Sequence, residues 1–247
     1  MDFQGKVVIV TGGASGMGEA TAREFARAGA HVTIADRNEV RARQVAAEIG
    51  AQVRVGDVSD SAFCDRVVAD TLAQYGRLDV LVNAAGIIVR ASGVETSDEQ
   101  WQRVMGVNVS GTFFMCRAAI RAMQPQRSGA IVNFGSIWGD LGAAGVAAYC
   151  ASKGAVHNLT RALALDHAKD GIRINAVCPG EVNTPMLQSE RKEPVTPELL
   201  QRLAETVPMG RLADPVEIAQ VVLFLASDKA SYMTGSLVLV DAGYAAR

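Results

Sequence analysis

A tyrosine and a lysine four residues apart are the side chains of this sequence best suited to moving a proton. Tyr149 and Lys153 open a segment with helical periodicity, in which residues four apart share one face of the helix. A free phenol has a pKa of roughly 10, but a cation within about 4 to 6 Å favours the phenolate. The spacing therefore favours Tyr149 as a general acid or base, although a solvated surface pair has the same spacing.

Two other polar residues point to the same site. Ser136 follows the apolar run 131–134, and ligands of open parallel sheets bind beyond the carboxyl ends of the strands, so its hydroxyl could hold a substrate carbonyl. Asn108 interrupts an apolar helical segment around 104–123, and a buried amide needs hydrogen-bond partners. A satisfied core asparagine would look the same in the sequence, so both interpretations of Asn108 stay open here.

A glycine-rich turn and one carboxylate predict a dinucleotide site. The strand-like run 7–10 leads into Gly12, Gly16 and Gly18, and a helical pattern follows. Glycines let the backbone approach a pyrophosphate, and the N–H groups of the next helix attract it. Asp36 ends the second strand, about 20 residues after the glycines, where a carboxylate can accept the hydroxyls of an adenosine ribose. Its alternative role is to cap the helix that follows.

The elements that position these residues alternate between short β-branched runs and longer helical patterns, which is typical of βαβ units on a parallel sheet. Strands buried on both faces are rich in Val and Ile. The predicted strands are Lys6–Thr11, His31–Ala35, Gln52–Gly56, Val80–Asn83, Ala130–Phe134, Arg173–Val177 and Leu237–Val240. We expect residues 1–247 to form a single α/β domain, a doubly wound parallel sheet of the Rossmann type with helices on both faces.

Capping residues predict where three helices begin. Ser97 with Gln100, Thr196 before Pro197, and Asp214 with Glu217 can each satisfy free N–H groups at a helix start. Five of the seven prolines lie between residues 185 and 215. Prolines and charges offer little core there, so the segment of about 186–209, with a short helix around 198–204, is predicted to order as a lid over bound ligands.

The composition argues against several other kinds of protein. Lys plus Arg number 24 against 26 Asp plus Glu, with no basic run, so a nucleic-acid surface is not expected. The amino terminus lacks the pattern of a secretory signal, and no apolar run approaches the roughly 18 residues of a membrane span. We therefore expect a cytoplasmic protein. Four scattered cysteines and three histidines argue against disulfides and a metal site.

With these residues assembled, the whole chain resembles the short-chain dehydrogenase/reductase family from end to end. The family's T-G-x-x-x-G-x-G turn matches residues 11–18, and its acidic-residue-plus-Val turn matches residues 57–58. Its N-N-A-G element matches residues 83–86, with Ala84 in place of one Asn. Its P-G motif and the Thr that follows match Pro179, Gly180 and Thr184, which contact the nicotinamide side in that family.

The family's catalytic tetrad is also complete in this sequence. Its Y-x-x-x-K pair matches Tyr149 and Lys153, its catalytic Ser matches Ser136, and its helix Asn matches Asn108. Gly135 replaces the Ser that often precedes the catalytic Ser, and we expect this change to widen the pocket without altering the mechanism.

The resemblance implies a sheet in the order 3-2-1-4-5-6-7 and hydride transfer between a nicotinamide and a carbonyl or alcohol carbon, with no metal. Tyr149 would exchange the proton with the substrate oxygen, which Ser136 would orient. Lys153 would lower the pKa of Tyr149 and bind the nicotinamide ribose, and Asn108 would hold a water that links Lys153 to solvent. The predicted cofactor-binding residues are Gly12, Ser15, Gly16, Met17, Gly18, Asp36, Arg37, Asp57, Val58, Asn83, Ala84, Gly86, Tyr149, Lys153, Pro179, Gly180, Val182 and Thr184.

Asp36 predicts NAD(H) in preference to NADP(H), because the 2′-phosphate of NADP(H) would meet its carboxylate. Arg37 is the opposing consideration, since a guanidinium pairs well with phosphate. The glycine turn carries no basic residue at positions 13–15, where NADP-preferring relatives often have one.

The predicted function is an NAD(H)-dependent alcohol dehydrogenase or ketone reductase for a small secondary alcohol, polyol or sugar. One alternative is an NADPH-dependent 3-oxoacyl-[acyl-carrier-protein] reductase, which is similar over its full length. Another is a catalytically silent NAD-binding regulatory protein. The expected pocket walls are Ile87, Ile88, Val89, Arg90, Ile137, Trp138, Leu141, Glu181, Met186 and Leu187.

The segment around 104–123 also predicts self-association. It is apolar nearly all round, and a helix of this kind must be covered on two sides. The residues that make it so are Val107, Phe113, Phe114, Met115 and Ile120. We expect a homo-oligomer, as a tetramer.

Overall fold

One sheet of seven parallel strands runs through the molecule. The computed structural model describes residues 1–191 and 194–246. The strands are β1 (Val7–Thr11), β2 (His31–Asp36), β3 (Gln52–Val55), β4 (Val80–Asn83), β5 (Gly129–Phe134), β6 (Ile172–Pro179) and β7 (Leu237–Val240). They lie in the order β3-β2-β1-β4-β5-β6-β7. The predicted strands and the implied order are confirmed, with strand ends that differ by no more than two residues.

Helices flank this sheet on both faces. Those of the described residues are α1 (Gly16–Arg27), α2 (Glu39–Ile49), α3 (Ser61–Tyr75), α4 (Asp98–Met105), α5 (Thr112–Gln126), α6 (Ala147–His167), α7 (Pro197–Glu205) and α8 (Pro215–Ala226). None of these helices combines the length and apolarity needed to cross a membrane.

The predicted helix starts are confirmed by their caps. Ser97 and Asp214 each form a capping box, in which cap and third helical residue satisfy each other's backbone N–H groups. The Thr196 hydroxyl accepts a hydrogen bond from the Leu199 N–H at 3.3 Å. A cap of this kind typically contributes about 1 kcal/mol to helix stability.

The side chains of β1 alternate between two hydrophobic cores. Val8 and Val10 pack with residues of α1, α2 and α8 on one face of the sheet. Val7 and Ile9 pack with residues of α3, α5 and α6 on the other face. Because both faces are buried, the strand is an unbroken apolar run rather than an alternating one.

The carboxyl ends of the central strands bring the candidate residues to one edge of the sheet. Thr11 ends β1, Asp36 ends β2, and Asn83 ends β4. The neighbours β1 and β4 mark the point where the strand order reverses. Ligands of doubly wound sheets bind in the crevice at such a point.

The segment around 104–123 differs from the single helix expected of it. A π-helical turn at Gly106–Gly111 separates α4 from α5 and contains Asn108. A Cβ at Gly111 would lie 2.7 Å from Val58, so the backbone passes close to the β3 end of the sheet here. Turns of this kind often occur at functional sites.

The outer side of α5 is aromatic. Met115 and Ile120 are buried in the core, whereas Phe113 is 36% exposed. The Arg117 guanidinium lies 5.4 Å from the centre of the Phe113 ring and 5.3 Å from that of Phe114. Part of the predicted apolar surface is therefore solvent-facing in one chain, and self-association stays a prediction.

The segment 186–209 has more buried contacts than its composition suggests. Leu187 and Val207 are both buried, and α7 confirms the short helix expected within it. Lys192 and Glu193 lie outside the described residues. The ordering of this segment over bound ligands stays a prediction.

Candidate active site

The glycine-rich turn between β1 and α1 can hold phosphate oxygens against backbone N–H groups. Gly12 has a φ of 67°, and a Cβ there would lie 2.8 Å from the backbone of Ala85. A Cβ at Gly18 would overlap the Gly12 carbonyl, so the turn closes this tightly only with glycine. The Ser15 side chain does not cap α1, which leaves the first N–H groups of the helix available to an anion.

Two backbone N–H groups hold the Asp36 carboxylate at the end of β2. The Ala14 N–H donates to Oδ2 at 3.0 Å, and the Asn38 N–H donates to Oδ1 at 2.9 Å. The first bond ties the carboxylate to the glycine turn, and the second forms the local turn before α2. Each oxygen keeps acceptor capacity, so the local structural role and a ligand-binding role are compatible.

A cleft follows the glycine turn and the ends of β2 and β4. Many of the predicted cofactor-binding residues line it: Gly12, Ser15, Gly16, Met17, Gly18, Asp36, Arg37, Asp57, Val58, Ala84, Gly86 and Thr184. The cleft thus combines helix N–H donors with a carboxylate at a strand end. These are the groups that a nicotinamide dinucleotide needs for its pyrophosphate and its adenosine ribose, so the residues fit this cofactor.

Asn83 lies beneath the cleft rather than in its wall. It is 3% exposed, and its Nδ2 donates to Asn133 Oδ1 at 2.9 Å, which links β4 to β5. Its own Oδ1 has no partner among the described residues. Side chains alternate along a strand, and Ala84 is the neighbour that lines the cleft. The Asn83 side chain therefore does not line the cleft, and its predicted role in cofactor binding stays a prediction.

A second pocket adjoins the cleft and contains the candidate proton-transfer residues. Met17, Thr184 and Met186 line both spaces. Ser136 and Tyr149 line the second pocket, together with the predicted residues Pro179, Gly180 and Val182. The structure thus brings Ser136 after β5 next to Tyr149 in the first turn of α6, as the sequence predicts.

Burial controls the acidity of Tyr149. It raises the pKa of the phenol to about 12, while a hydrogen bond with Ser136 lowers the pKa in part. The Lys153 Nζ lies 5.5 Å from the centre of the Tyr149 ring and donates to the Phe134 carbonyl at 2.7 Å. The net pKa of Tyr149 is therefore raised rather than lowered, because desolvation of the phenol outweighs the interactions that favour the phenolate, and a lowering contribution from Lys153 stays a prediction.

Lys153 and Asn108 approach each other below the wall of the cleft. A Cβ built on Gly86 would lie 3.5 Å from Asn108 Oδ1 and 3.7 Å from Lys153 Nζ. Burial lowers the pKa of Lys153 to about 8. The Asn108 amide accepts from the Ile87 N–H at 2.8 Å and donates to the Ile87 carbonyl and to Ser152 Oγ, both at 2.9 Å. Both interpretations of Asn108 therefore hold in part, since it is a satisfied buried amide that lies beside the site.

The walls of the second pocket are partly those expected. Ile88, Arg90, Trp138, Glu181, Met186 and Leu187 line it, whereas Ile87 lines the neighbouring cleft. Val89 and Ile137 are core residues, and Leu141 is exposed. Sequence reasoning missed Ala143, Ala144, Val146 and Arg191, because short loops with small residues have no periodic signal.

Glu181 brings an unpaired carboxylate into this pocket. Burial raises its pKa, while Arg90 and Arg191 lower it. Among the described residues its carboxylate takes part in no hydrogen bond or ion pair, whereas Arg90 donates to the Ser189 carbonyl at 3.1 Å and to the Met186 carbonyl at 3.4 Å. Arg90 therefore braces the segment above the pocket, and Glu181 is left as an acceptor for a ligand.

Gly135 makes room for a histidine rather than for a substrate. A Cβ at this position would lie 2.6 Å from His157 Nε2 and 2.8 Å from Cys178 Sγ. The prediction that Gly135 widens the pocket is wrong, because the absence of a side chain at Gly135 leaves space for the His157 imidazole behind Ser136. Sequence reasoning missed His157, although its position four residues after Lys153 was a usable signal.

Known proteins are similar to this chain over nearly its whole length. The family model described as enoyl-(acyl carrier protein) reductase matches residues 12–245. Meso-2,3-butanediol dehydrogenase of Serratia marcescens is 43% identical over 246 residues, with 98% of this chain and 96% of that protein covered. Cyclopentanol dehydrogenase of a Comamonas species is 44% identical over 246 residues, with 98% and 97% covered.

A solved structure is similar over the same length. The crystal structure of 3-ketoacyl-(acyl-carrier-protein) reductase from Brucella melitensis complexed with NADH has a TM-score of 0.92 to this chain at 34% identity. The match covers 98% of this chain and 99% of that one.

Proposed function

The chain belongs to the short-chain dehydrogenase/reductase family, and on that basis we propose that it is an NAD(H)-dependent oxidoreductase for the secondary alcohol or ketone carbon of a small alcohol, polyol or sugar. The observation that carries this proposal is the adjacency of two spaces. The pocket lined by Ser136 and Tyr149 adjoins the cleft lined by the glycine turn and Asp36. Similarity to dehydrogenases named for butanediol and cyclopentanol supports the substrate class.

Tyr149 and Ser136 act on the substrate oxygen. When bound, NAD+ supplies the hydride acceptor. Tyr149 takes the proton of the substrate hydroxyl during oxidation and returns a proton to the carbonyl oxygen during reduction. Ser136 Oγ accepts from the Trp138 N–H at 3.2 Å, and its own hydrogen, which bonds to Tyr149 here, is donated to the substrate oxygen when substrate is bound.

Lys153 and Asn108 support this proton transfer from behind. The Lys153 ammonium stabilises Tyr149 when the phenol has lost its proton, and it binds the hydroxyls of the nicotinamide ribose. Asn108 holds the Ile87 backbone through both its amide groups and so fixes the wall beside Lys153. We also propose that Asn108 holds a water molecule that links Lys153 to solvent, as the corresponding residue does in the family.

A panel of secondary alcohols, polyols and hydroxy acids tests the proposed function, with NADH formation as the signal. We expect NADH formation with at least one secondary alcohol or vicinal diol, and its loss in the Tyr149→Phe variant. A folded protein that binds NAD+ and oxidises none of the panel would favour the catalytically silent alternative.

Asp36 should make the enzyme prefer NAD+ over NADP+ by at least about tenfold in kcat/KM, equivalent to roughly 1.4 kcal/mol. A 2′-phosphate would meet a carboxylate that two backbone N–H groups hold in place, and like charges at about 4 Å cost roughly 4 kcal/mol before solvent and rearrangement reduce that figure. Arg37 is exposed and can turn to solvent. Asp36→Ala should shrink the preference mainly through better use of NADP+.

Steady-state kinetics with both coenzymes and one fixed alcohol measure this preference. Asp57→Ala is a matched control for the coenzyme preference, because Asp57 also lines the cleft but its carboxylate accepts hydrogen bonds only from Ser59 among the described residues. An Asp36→Ala variant with the same NAD+ preference as the unmodified enzyme would contradict the assignment.

Glu181 should favour substrates with a second hydroxyl next to the reacting one. Its partly buried carboxylate lacks a partner among the described residues and shares the pocket with Tyr149, so a hydroxyl donor would satisfy it. A hydrogen bond to a charged group contributes about 1.5 to 3 kcal/mol. Glu181→Leu should therefore lower kcat/KM for a vicinal diol by roughly 10- to 100-fold.

A monohydric alcohol provides the control within each variant. Glu181→Leu should leave kcat/KM for cyclopentanol within about threefold, and Glu181→Gln should keep most of the activity on the diol, because an amide oxygen still accepts. Equal losses on the diol and on cyclopentanol would mean that Glu181 supports the pocket without recognising a hydroxyl.

The second candidate function is an NADPH-dependent 3-oxoacyl-[acyl-carrier-protein] reductase. The similar reductase structure favours it. Asp36 counts against NADPH, and that reductase structure itself contains NADH.

We further propose that the protein is a cytoplasmic homo-oligomer, as a tetramer. The exposed aromatic side of α5, with Phe113 and Phe114 beside Arg117, supports the proposal of a subunit contact.

A further inference from the structure

A buried histidine lies directly behind Ser136, and the proposed mechanism does not use it. His157 is 1% exposed. It follows Lys153 by one helical turn and Tyr149 by two, so all three share one face of α6. A polar ring in such a position is costly unless its nitrogens have partners.

The hydrogen-bond partners of His157 determine which of its ring nitrogens carries the hydrogen. Nδ1 lies 3.2 Å from Asp140 Oδ1, and Nε2 lies 3.4 Å from the Ser136 backbone N and 3.3 Å from Cys178 Sγ. A carboxylate only accepts, so Nδ1 carries the hydrogen and Nε2 is the acceptor. Burial raises the pKa of the Cys178 thiol to about 12, so it is present as S–H, and its sulfur is a second, weaker acceptor within reach of the Ser136 N–H.

Two glycines leave the space for this ring. A Cβ at Gly135 would lie 2.6 Å from His157 Nε2, and a Cβ at Gly139 would overlap the imidazole. The segment 135–140 therefore wraps the ring, with Ser136 at one nitrogen and Asp140 at the other. The same segment contains the Trp138 N–H, which donates to Ser136 Oγ at 3.2 Å.

We propose that His157 is a positioning residue for Ser136. The neutral imidazole accepts the Ser136 N–H, and Asp140 holds the imidazole in the tautomer that can accept it. Together they keep the Ser136 hydroxyl directed at the substrate oxygen on which Tyr149 acts. The inference rests on the proposed function for its kinetic consequences, but the tautomer of His157 does not depend on turnover.

Protonation of His157 would break this arrangement. An imidazolium has two N–H donors and no acceptor, so the Ser136 N–H would face another donor. Burial lowers the pKa of His157, its bond with Asp140 raises the pKa in part, and the charges of Lys153 and Arg161 lower it further. The neutral form therefore prevails at neutral pH, and the support for Ser136 is lost as the pH falls below the usual histidine range.

Ketone reduction measured across pH tests the kinetic consequence. In this direction Tyr149 acts as the acid, and with a pKa of about 12 it stays protonated at acid and neutral pH, so it adds no acid-side loss. His157→Leu should lower kcat by roughly 10- to 100-fold, with the KM for NADH within about twofold. His157→Gln keeps an acceptor that does not titrate, so it should retain activity and lose the acid-side decline.

A second histidine on the same helix is the matched control. His167 also pairs with an aspartate, through Nδ1 at 2.9 Å from Asp170 Oδ2, but it lies far along α6 from Ser136. His167→Gln should leave kcat and the acid-side decline unchanged. Glu181→Gln should also retain the decline, which separates His157 from the other buried group that titrates in acid.

Two other single substitutions test the same interaction if the His157→Leu variant does not fold. The Asp140 side chain is 53% exposed, so Asp140→Ala should fold, and it should lower kcat because the imidazole proton can move to Nε2. Gly135→Ala should displace the His157 ring and lower kcat. In a His157 variant that folds, adding Gly135→Ala should lower kcat little further, because both substitutions remove the same interaction with Ser136. Unchanged kcat in both single variants would overturn the proposal.

Nuclear magnetic resonance of nitrogen-labelled histidine tests the tautomer without turnover. We expect the His157 signals of an Nδ1–H imidazole at neutral pH, and a shift toward the other tautomer in Asp140→Ala. An Nε2–H tautomer in the unmodified protein would overturn this inference even if ketones are reduced. Absence of ketone reduction together with the expected tautomer would count against the proposed function instead.

Discussion

Replacing Tyr149 by Phe should lower kcat for alcohol oxidation by about 10²- to 10⁴-fold, the range that general acid-base groups supply. The Tyr149 ring is 8% exposed and packs in the pocket, so the substitution removes only the oxygen that carries the proton. The affinity for NAD+ should stay within about twofold, because the cleft that fits the coenzyme is unchanged. Steady-state turnover and calorimetric titration with NAD+ measure the two quantities separately.

Tyr75→Phe is the matched control for this substitution. Tyr75 ends α3, stacks on His31 with ring centres 5.1 Å apart, and lies outside both spaces of the candidate site. It should have unchanged turnover. A loss of less than tenfold in Tyr149→Phe would mean that another group carries the proton.

The direction of the pH dependence follows from the same phenol. Burial raises the pKa of Tyr149 to about 12, and oxidation needs the deprotonated form as the base. Alcohol oxidation should therefore accelerate as the pH rises through the neutral and alkaline range. The Tyr149→Phe variant should lose this dependence, which a pH series of its residual rate would detect.

Lys153→Met should damage both turnover and coenzyme binding, because one ammonium has two proposed roles. We expect kcat/KM for NAD+ to fall by at least about 10²-fold, with weaker NAD+ binding as part of that loss. The Phe134 carbonyl also loses the donor that lies 2.7 Å away, so a lower melting temperature should accompany the kinetic loss.

Lys169→Met tests whether loss of any lysine near α6 has this effect. Lys169 is exposed just beyond the end of α6 and should be silent in both assays. A Lys153→Met variant with reduced kcat but undiminished NAD+ affinity would remove the ribose-binding role and leave only the support of Tyr149.

The sheet could be predicted because its strands are buried on both faces. Val7 to Val10 is a continuous apolar run, and the strand at 131–134 is apolar except for the buried Asn133, as a parallel sheet between two helix layers requires. The capping boxes at Ser97 and Asp214 could also be predicted, because the two partners of each box are close in sequence. Local signals of this kind need no knowledge of distant contacts.

The parts that could not be predicted depend on contacts between distant elements. The π-helical turn contains Asn108, whose side-chain amide forms hydrogen bonds with Ile87 and Ser152, which lie elsewhere in the sequence. The inward position of Asn83 depends on Asn133 of the neighbouring strand. Neither distance nor direction between such partners can be derived from spacing alone.

The pKa of Tyr149 also depends on contacts between distant elements. The spacing of Tyr149 and Lys153 predicts a lowered pKa for the phenol, whereas burial by surrounding elements raises it. The role of Gly135 was misjudged for a similar reason, since His157 and Cys178 fill the space beside it from two other elements.

Two reactions of the unmodified enzyme distinguish an NAD-dependent alcohol dehydrogenase from an NADPH-dependent 3-oxoacyl reductase. The first is oxidation of meso-2,3-butanediol with NAD+, the second is reduction of a 3-oxoacyl thioester with NADPH, and coenzyme absorbance reports both rates. We expect a kcat/KM for the first reaction at least about tenfold above that for the second. A higher kcat/KM for thioester reduction with NADPH would contradict this expectation and identify the enzyme as a 3-oxoacyl reductase.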